Sequence, residues 1–416
     1  MASAAAVRTI AAGLGRLGGR MRNPQLLGRD GELAILDDLV ARLPAAGGAI
    51  ILLGEPGIGR TTLLRAAVAR ARTAGAEVLH VTGVPDAPPY TGLRGLLGPV
   101  LDAGRDLPRA QLALVAAAPH GGAAGQPLAV AKAALVLLAA CAAERPLLLA
   151  VDDAHLLDRA SCEALGFIAR RLGPDPVLLV ATARTATVPD LTATSRAVGH
   201  PPVAGHFGRD ERGRAIPAVS LEVPPLDDVT ARVLLGRLAP RLTVTARERV
   251  LEVAQGNPLA LTELPLAWRD GGPSDSWTSP AVTPKLVRAF AGGLDALPSG
   301  ARDMLLVAAV DYVGDLPEIL AASAPPAGRA VMGDLDAAVA AGLVRSDGHA
   351  LRFAHPVVRA AVLDLAPAER RRAAHAALAR VLTTEPHRRT WHRAHSLLTD
   401  APGPPPEPAT PPTNRP

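Results

Sequence analysis

Lysine is almost missing from this chain: Lys132 and Lys285 are the only two among 44 basic residues, and arginine supplies the rest. With Ala, Gly and Pro abundant, that bias points to GC-rich codon drift more than to selection for a nucleic-acid surface. Basic residues exceed acidic ones by only five, so the high pI is weak ground for a polyanion partner. Aromatic residues make up 2%, too few to build a stacking platform for single-stranded nucleic acid. The two cysteines, Cys141 and Cys162, lie in apolar settings and support neither a disulfide framework nor a zinc site; a reducing cytoplasm is expected. The longest uncharged apolar run, Ala133 to Ala143, falls short of the roughly 18 to 20 residues that span a bilayer, and no membrane span is expected.

What is present is core material. Apolar residues are 49% of 416, enough for two or three domains with buried interiors. The first 22 residues carry Arg8, Arg16, Arg20 and Arg22 and no acid, a composition like that of a transit peptide; residues 1–23 are read instead as a disordered extension or a start assigned too early, with Met21 as the true beginning.

After Leu26-Leu27-Gly28-Arg29, apolar residues at helical spacing (Leu33, Leu36, Leu39, Val40) predict a helix. Ala49 to Leu53 is a short, wholly apolar run of the kind a parallel sheet buries on both faces. Further strands are expected at Glu77 to Val81, Leu147 to Val151 and Val177 to Ala181, with a helix around Leu128 to Ala143. Strands alternating with helices define a three-layer α/β/α domain with a mainly parallel sheet. Thr185 to Val219 lacks periodicity and is expected to be a long surface loop. The full division is 24–222 for the α/β domain, 223–269 for a helical lid, 270–284 for a Gly/Ser/Pro linker, 285–385 for a winged-helix-like unit, and 386–416 for the truncated start of a further, sensor unit and a Pro-rich disordered tail. The winged-helix expectation rests on helices near Arg302 to Val310 and Val331 to Ala341, then Leu343 to Arg345 and Leu351 to Phe353 around Asp347-Gly348.

The chemistry concentrates in two segments. Gly54-Glu55-Pro56-Gly57-Ile58-Gly59-Arg60-Thr61 has the P-loop spacing G-x-x-x-x-G-K-[ST] at every position but the lysine. Its glycines let backbone amides turn inward onto phosphate oxygens, and the following helix adds the positive end of its dipole. The loop through Thr62 is therefore the expected cradle for ATP or ADP, with Thr61 giving a hydroxyl to Mg2+. Arg60 keeps the lysine's charge but presents a planar, bulkier group, so nucleotide binding is expected to persist in weakened form and any hydrolysis to be slow. The second segment, Leu147 to Asp153, is an apolar strand ending in two carboxylates about 90 residues after the loop. It reads as a Walker B strand that runs beside the P-loop strand, Asp152 addressing Mg2+ and Asp153 polarising the attacking water. Arg184, just past another apolar strand, is a γ-phosphate sensor or an ordinary surface arginine. Gly256-Asn257-Pro258-Leu259 reads by itself as a helix stop. His355 stands before Pro356, where a helix-capping histidine is the default and a phosphate sensor the alternative.

Taken in order, Leu27-Gly28-Arg29, the P-loop, Val151-Asp152-Asp153-Ala154-His155, Gly256 to Leu261 and Phe353 to Arg359 resemble the STAND class of signal-transduction ATPases. Within that class they are similar to the large bacterial regulators of the LuxR family and the maltose activator. The resemblance spans roughly residues 24 to 395 and implies a nucleotide-controlled switch: ADP holds it closed, while inducer and ATP open it for self-association. It further implies that Gly28 and Arg29 lie near the adenine, that Pro258 contacts the nucleotide, and that His355 touches phosphate. Trp391 to His395 looks like the start of a helical-repeat sensor, and the DNA-reading helix-turn-helix of the relatives is missing, so no sequence-specific DNA binding is expected. Other readings stay open: an origin-recognition-type AAA ATPase that binds DNA through its winged helix, a non-enzymatic module in hetero-assembly with a related regulator, or a gene remnant.

Overall fold

The computed structural model describes residues 26–102, 127–173, 175–184, 218–271, 282–324 and 332–397. The expectations for 1–23, for most of the linker and for the Pro-rich tail lie outside these.

The first half is built on a five-stranded sheet. Its strands are β1 (Gly48–Gly54), β2 (Glu77–Thr82), β3 (Leu147–Asp152), β4 (Val177–Arg184) and β5 (Ala218–Glu222), in the order β2-β3-β4-β1-β5, and every pairing is parallel. Each central strand is apolar at consecutive positions because both its faces are covered. Ile50, Leu52, Leu148, Ala150, Leu178 and Val180 join the helices α1 (Asp30–Arg42) and α2 (Arg60–Thr73) in one core. Ala49, Ile51, Leu147, Leu149, Val151 and Leu179 join α3 (Thr91–Asp102), α4 (Pro127–Glu144) and α5 (Arg159–Ala169) in the other. This is the α/β/α, P-loop-type architecture that the strand and helix alternation predicts. The helix α4 is long and apolar enough to cross a membrane by length and composition, yet Val130, Ala134, Leu137 and Leu138 lie in the second core.

Two expectations need correction. The Walker B strand β3 does not run beside the P-loop strand: β4 is inserted between them, pairing Ile50 with Val180 on one side and Val151 with Ala181 on the other. Two equally apolar runs cannot be ranked for position by composition, because both are buried on both faces. The loop expected from Thr185 to Val219 also ends too late, since Ala218 and Val219 open the edge strand β5. Five residues bounded by prolines carried too little periodicity to be read as a strand; the body of that loop lies outside the described residues.

The second half is helical: α6 (Asp228–Leu238), α7 (Val244–Ala254), α8 (Pro258–Gly271), α9 (Pro284–Ala291), α10 (Ser299–Val310), α11 (Leu316–Ser323) and α12 (Met332–Ala340). An antiparallel hairpin, β6 (Val344–Ser346) with β7 (Leu351–Phe353), follows. The helices α13 (Pro356–Leu365), α14 (Ala368–Val381) and α15 (Pro386–Leu397) close the described chain. Buried residues from Leu226 to Leu382 form one cluster, so the helices before and after residues 270–284 share a core. Arg388 on α15 ties that helix to Asp311 (3.0 Å) and Glu318 (2.8 Å).

Candidate nucleotide site

The site forms where β1 turns into α2. Gly57 and Gly59 have φ of +78° and +106°, the left-handed region where a side chain is strained, which is why the loop needs glycine there. Gly57 also lacks room: a Cβ would lie 2.6 Å from Leu259 Cβ and 2.8 Å from Asn257 Oδ1. No acidic residue belongs to the first turn of α2, so the helix itself offers nothing that offsets the positive end of its dipole. Thr61 Oγ1 donates to Asp152 Oδ1 at 3.0 Å, joining the loop to the end of β3 although β4 lies between the strands.

Thr182 on β4 makes that span. Fully buried, its hydroxyl donates to the same Asp152 oxygen at 2.7 Å and accepts from the Asp153 N–H at 2.8 Å. It is a site residue that the sequence reading missed; a lone hydroxyl in the apolar run Val177 to Ala183 was the available signal. Asp153 itself takes left-handed backbone (φ 48°, ψ 50°) without being glycine, a conformation that Asp tolerates better than most residues and that collects at functional sites. Burial first, then the neighbouring Asp152, pushes its carboxyl above the ordinary range, while Arg60 and Arg184 pull it down.

Arg60 is 8% exposed, and burial lowers its guanidinium pKa, with Asp153 acting in the opposite sense. Arg184 pairs in register with Gly54, which sets it beside the loop's first glycine. Neither Arg60 Nη1 nor Arg184 Nε has a hydrogen-bond partner, and both ring nitrogens of His155, in the turn after Asp153, are likewise buried and unpaired. Burial and the two arginines together push the His155 pKa down to about 4, so its imidazole is neutral.

The other expected contacts are placed differently. Gly28 (φ +66°) fits closely, since a Cβ would lie 2.8 Å from Thr230 Cγ2. The buried Arg29 braces the loop: it donates to Ile58 O (3.0 Å), Pro224 O (2.7 Å) and Glu32 Oε1 (2.9 Å). Beside Pro258, Asn257 reaches the loop, donating its amide to Pro56 O at 2.9 Å, while Leu259 N–H donates to Gly57 O at 3.2 Å. From the hairpin, Arg345 Nη2 lies 3.2 Å from Glu55 Oε1. His355 is bonded to backbone. Its Nδ1 accepts from Val357 N–H at 3.1 Å, so Nε2 carries the proton and donates to Ala254 O, also at 3.1 Å. With both nitrogens committed to backbone, it serves as a helix cap in this arrangement.

Fold and site together define a P-loop-type α/β domain. Residues 25–180 match the family model of the AAA ATPase domain. Among solved structures, the chain is similar to the Walker-type ATPase of Pyrococcus abyssi, with a TM-score of 0.51 and 15% identity over 81% of this chain and 96% of that one. It is also similar to a Signal Transduction ATPase with Numerous Domains carrying a tetratricopeptide repeat sensor, from Pyrococcus horikoshii. There the TM-score is 0.37 and the identity 15%, over 90% of this chain and 48% of that one. No curated protein matches. Residues 25–180 are thus similar to the AAA ATPase domain, and the fold is that of P-loop ATPases.

Proposed function

We propose that the protein is an ATP- and ADP-binding regulatory switch of the STAND kind, related to LuxR-type transcriptional regulators and slow in hydrolysis. The observation that carries this reading is the pairing of Thr61 with Asp152 beneath a glycine loop flanked by buried, unpaired arginine donors. The oxygen donors Thr61 and Asp152 suit Mg2+, a hard cation that takes oxygen ligands. When bound, the cation neutralises phosphate charge. The loop from Gly54 to Thr62 cradles the phosphates, with Gly28, Arg29 and Pro258 around the rest of the nucleotide. Arg60 and Arg184 face the terminal phosphate. Asp153 takes a proton from water as that oxygen bonds to the γ-phosphorus and the bridge to the β-phosphate breaks, leaving ADP and phosphate. Arg60 makes this step slow, since a guanidinium does not fit where a compact ammonium does.

Regulation is supported by what rests on the loop. The lid helices (223–269) grip it through Asn257 and Leu259, and the winged-helix-like unit (285–385) touches it through Arg345. Opening these contacts is the switch, and self-association follows opening. Two cysteines, Cys141 and Cys162, are too few for a disulfide framework and suit a cytoplasmic setting, and no sequence-specific DNA contact is assigned.

Nucleotide released by denaturing freshly purified protein is the test, with Asp153→Asn run beside it. ADP or ATP is expected in the wild type, and the variant keeps binding while losing whatever turnover exists. Nucleotide-free protein that also shows no thermal shift with Mg-ATP would overturn the reading.

A further inference from the structure

Of the seven buried side-chain nitrogens and oxygens without a hydrogen-bond partner among the described residues, four sit on Arg60, His155 and Arg184. The three residues belong to one place: Arg184 and Arg60 both act electrostatically on His155, and Arg184 acts on Arg60. His155 is the residue that neither the loop nor the carboxylates explain. Its side chain is 5% exposed, and its Nδ1 lies 4.0 Å from Asp153 Oδ1, beyond hydrogen-bond distance. A buried polar group with no partner is costly and calls for an explanation. An imidazole has donor and acceptor nitrogens, and here both are idle.

Two guanidinium groups alongside specify what would satisfy it. They repel a protonated ring and attract an oxyanion, so the ring remains a neutral donor to an oxygen that already carries negative charge. His155 stands in the turn after β3, beside Asp153 and the β4 end that carries Arg184, whereas the glycine loop follows β1; a site there suits the last phosphate of the nucleotide rather than the ones the loop holds. Resting on the proposed nucleotide site, we infer that His155 is a third ligand of the terminal phosphate, donating one ring N–H to a γ-oxygen and leaving the other nitrogen to accept from a water. His155 thereby helps the site distinguish nucleoside triphosphate from diphosphate.

Calorimetric titration of the full chain with Mg2+ and the non-hydrolysable analogue AMP-PNP, with ADP, and with ADP plus inorganic phosphate tests this. His155→Ala is expected to weaken AMP-PNP about tenfold, the scale of one hydrogen bond to a charged group, and to leave ADP within about twofold. His155→Gln keeps an N–H donor and recovers part of the loss. In the wild type, nitrogen-15 shifts of the His155 ring move with AMP-PNP and not with ADP alone, a readout that needs no variant. Movement with ADP plus phosphate as large as with AMP-PNP assigns the contact to free phosphate and overturns triphosphate discrimination. Equal weakening of AMP-PNP and ADP, or of neither, in a chain whose wild type binds both, overturns the inference and spares the nucleotide reading. A wild type that binds neither removes the reading and the inference together.

Discussion

His155 and His355 are both buried imidazoles whose pKa burial has driven down to about 4, yet their surroundings are opposite. In the helical half, His355 spends both nitrogens on backbone and stacks on Phe290 at 4.7 Å between ring centres. In the α/β half, His155 spends neither. A group whose partners come from the fold stabilises the fold, whereas one without partners there is built for something that arrives from outside. The arginines do not divide so cleanly: Arg388 is matched to Asp311 and Glu318, while Arg247 and Arg359 of the helical half, like Arg60 and Arg184, each keep one buried nitrogen without a hydrogen-bond partner.

Breaking that comparison gives the largest expected effect. His355→Ala leaves the Ala254 carbonyl without its donor and a gap beside Phe290, a loss of about 3 kcal/mol, whereas His155→Ala in nucleotide-free protein is expected to change stability by less than about 1 kcal/mol because no hydrogen bond is lost. Urea unfolding of both variants checks this, and equal losses would erase the distinction.

Acid sharpens it next. The folded pKa of His355 lies below its ordinary value, so the unfolded chain takes up the proton first. The stability that comes from keeping it neutral is complete above about pH 6.5 and declines toward pH 4. Between pH 7 and 5 this one group accounts for about 2 kcal/mol, and His355→Gln flattens the unfolding-against-pH curve by that amount. A slope unchanged by the substitution would contradict the assignment.

Smaller effects belong to the joint between the halves. Asn257→Ala removes the amide bond to Pro56 and the cap on Leu259 and Ala260, about 1 to 2 kcal/mol, and frees the loop as well, so thermal stability and nucleotide affinity both fall. Arg345→Ala breaks a solvent-exposed pair with Glu55, at most about 0.5 kcal/mol and less in high salt. A large salt-independent loss would mean the hairpin clamps the loop more firmly than this contact provides.

How far the residues could be read in advance follows the same division. The turn geometry of the glycine loop and the acid at the end of β3 were legible because spacing alone implies them: positive φ at Gly57 and Gly59, and an apolar strand that ends at Asp152. Thr182 was not, because its role depends on β4 lying between β1 and β3, and strand order has no local signature in equally apolar runs. The capping reading of His355 was legible from the proline after it. Its second partner, the Ala254 carbonyl 101 positions away, was not legible, because long-range partners leave no periodicity. His155 closes the Val151-Asp152-Asp153-Ala154-His155 motif, but its meaning came from two unpaired ring nitrogens, which only burial reveals.

The unpaired donors around the P-loop are assigned to a nucleotide phosphate chain. Calorimetry of the wild-type chain with Mg-ATP tests it most directly: saturable one-to-one heat and a rise in melting temperature by mass action are predicted, both abolished when Gly59 is replaced by tryptophan. Absence of heat and of any thermal shift at millimolar nucleotide would contradict it.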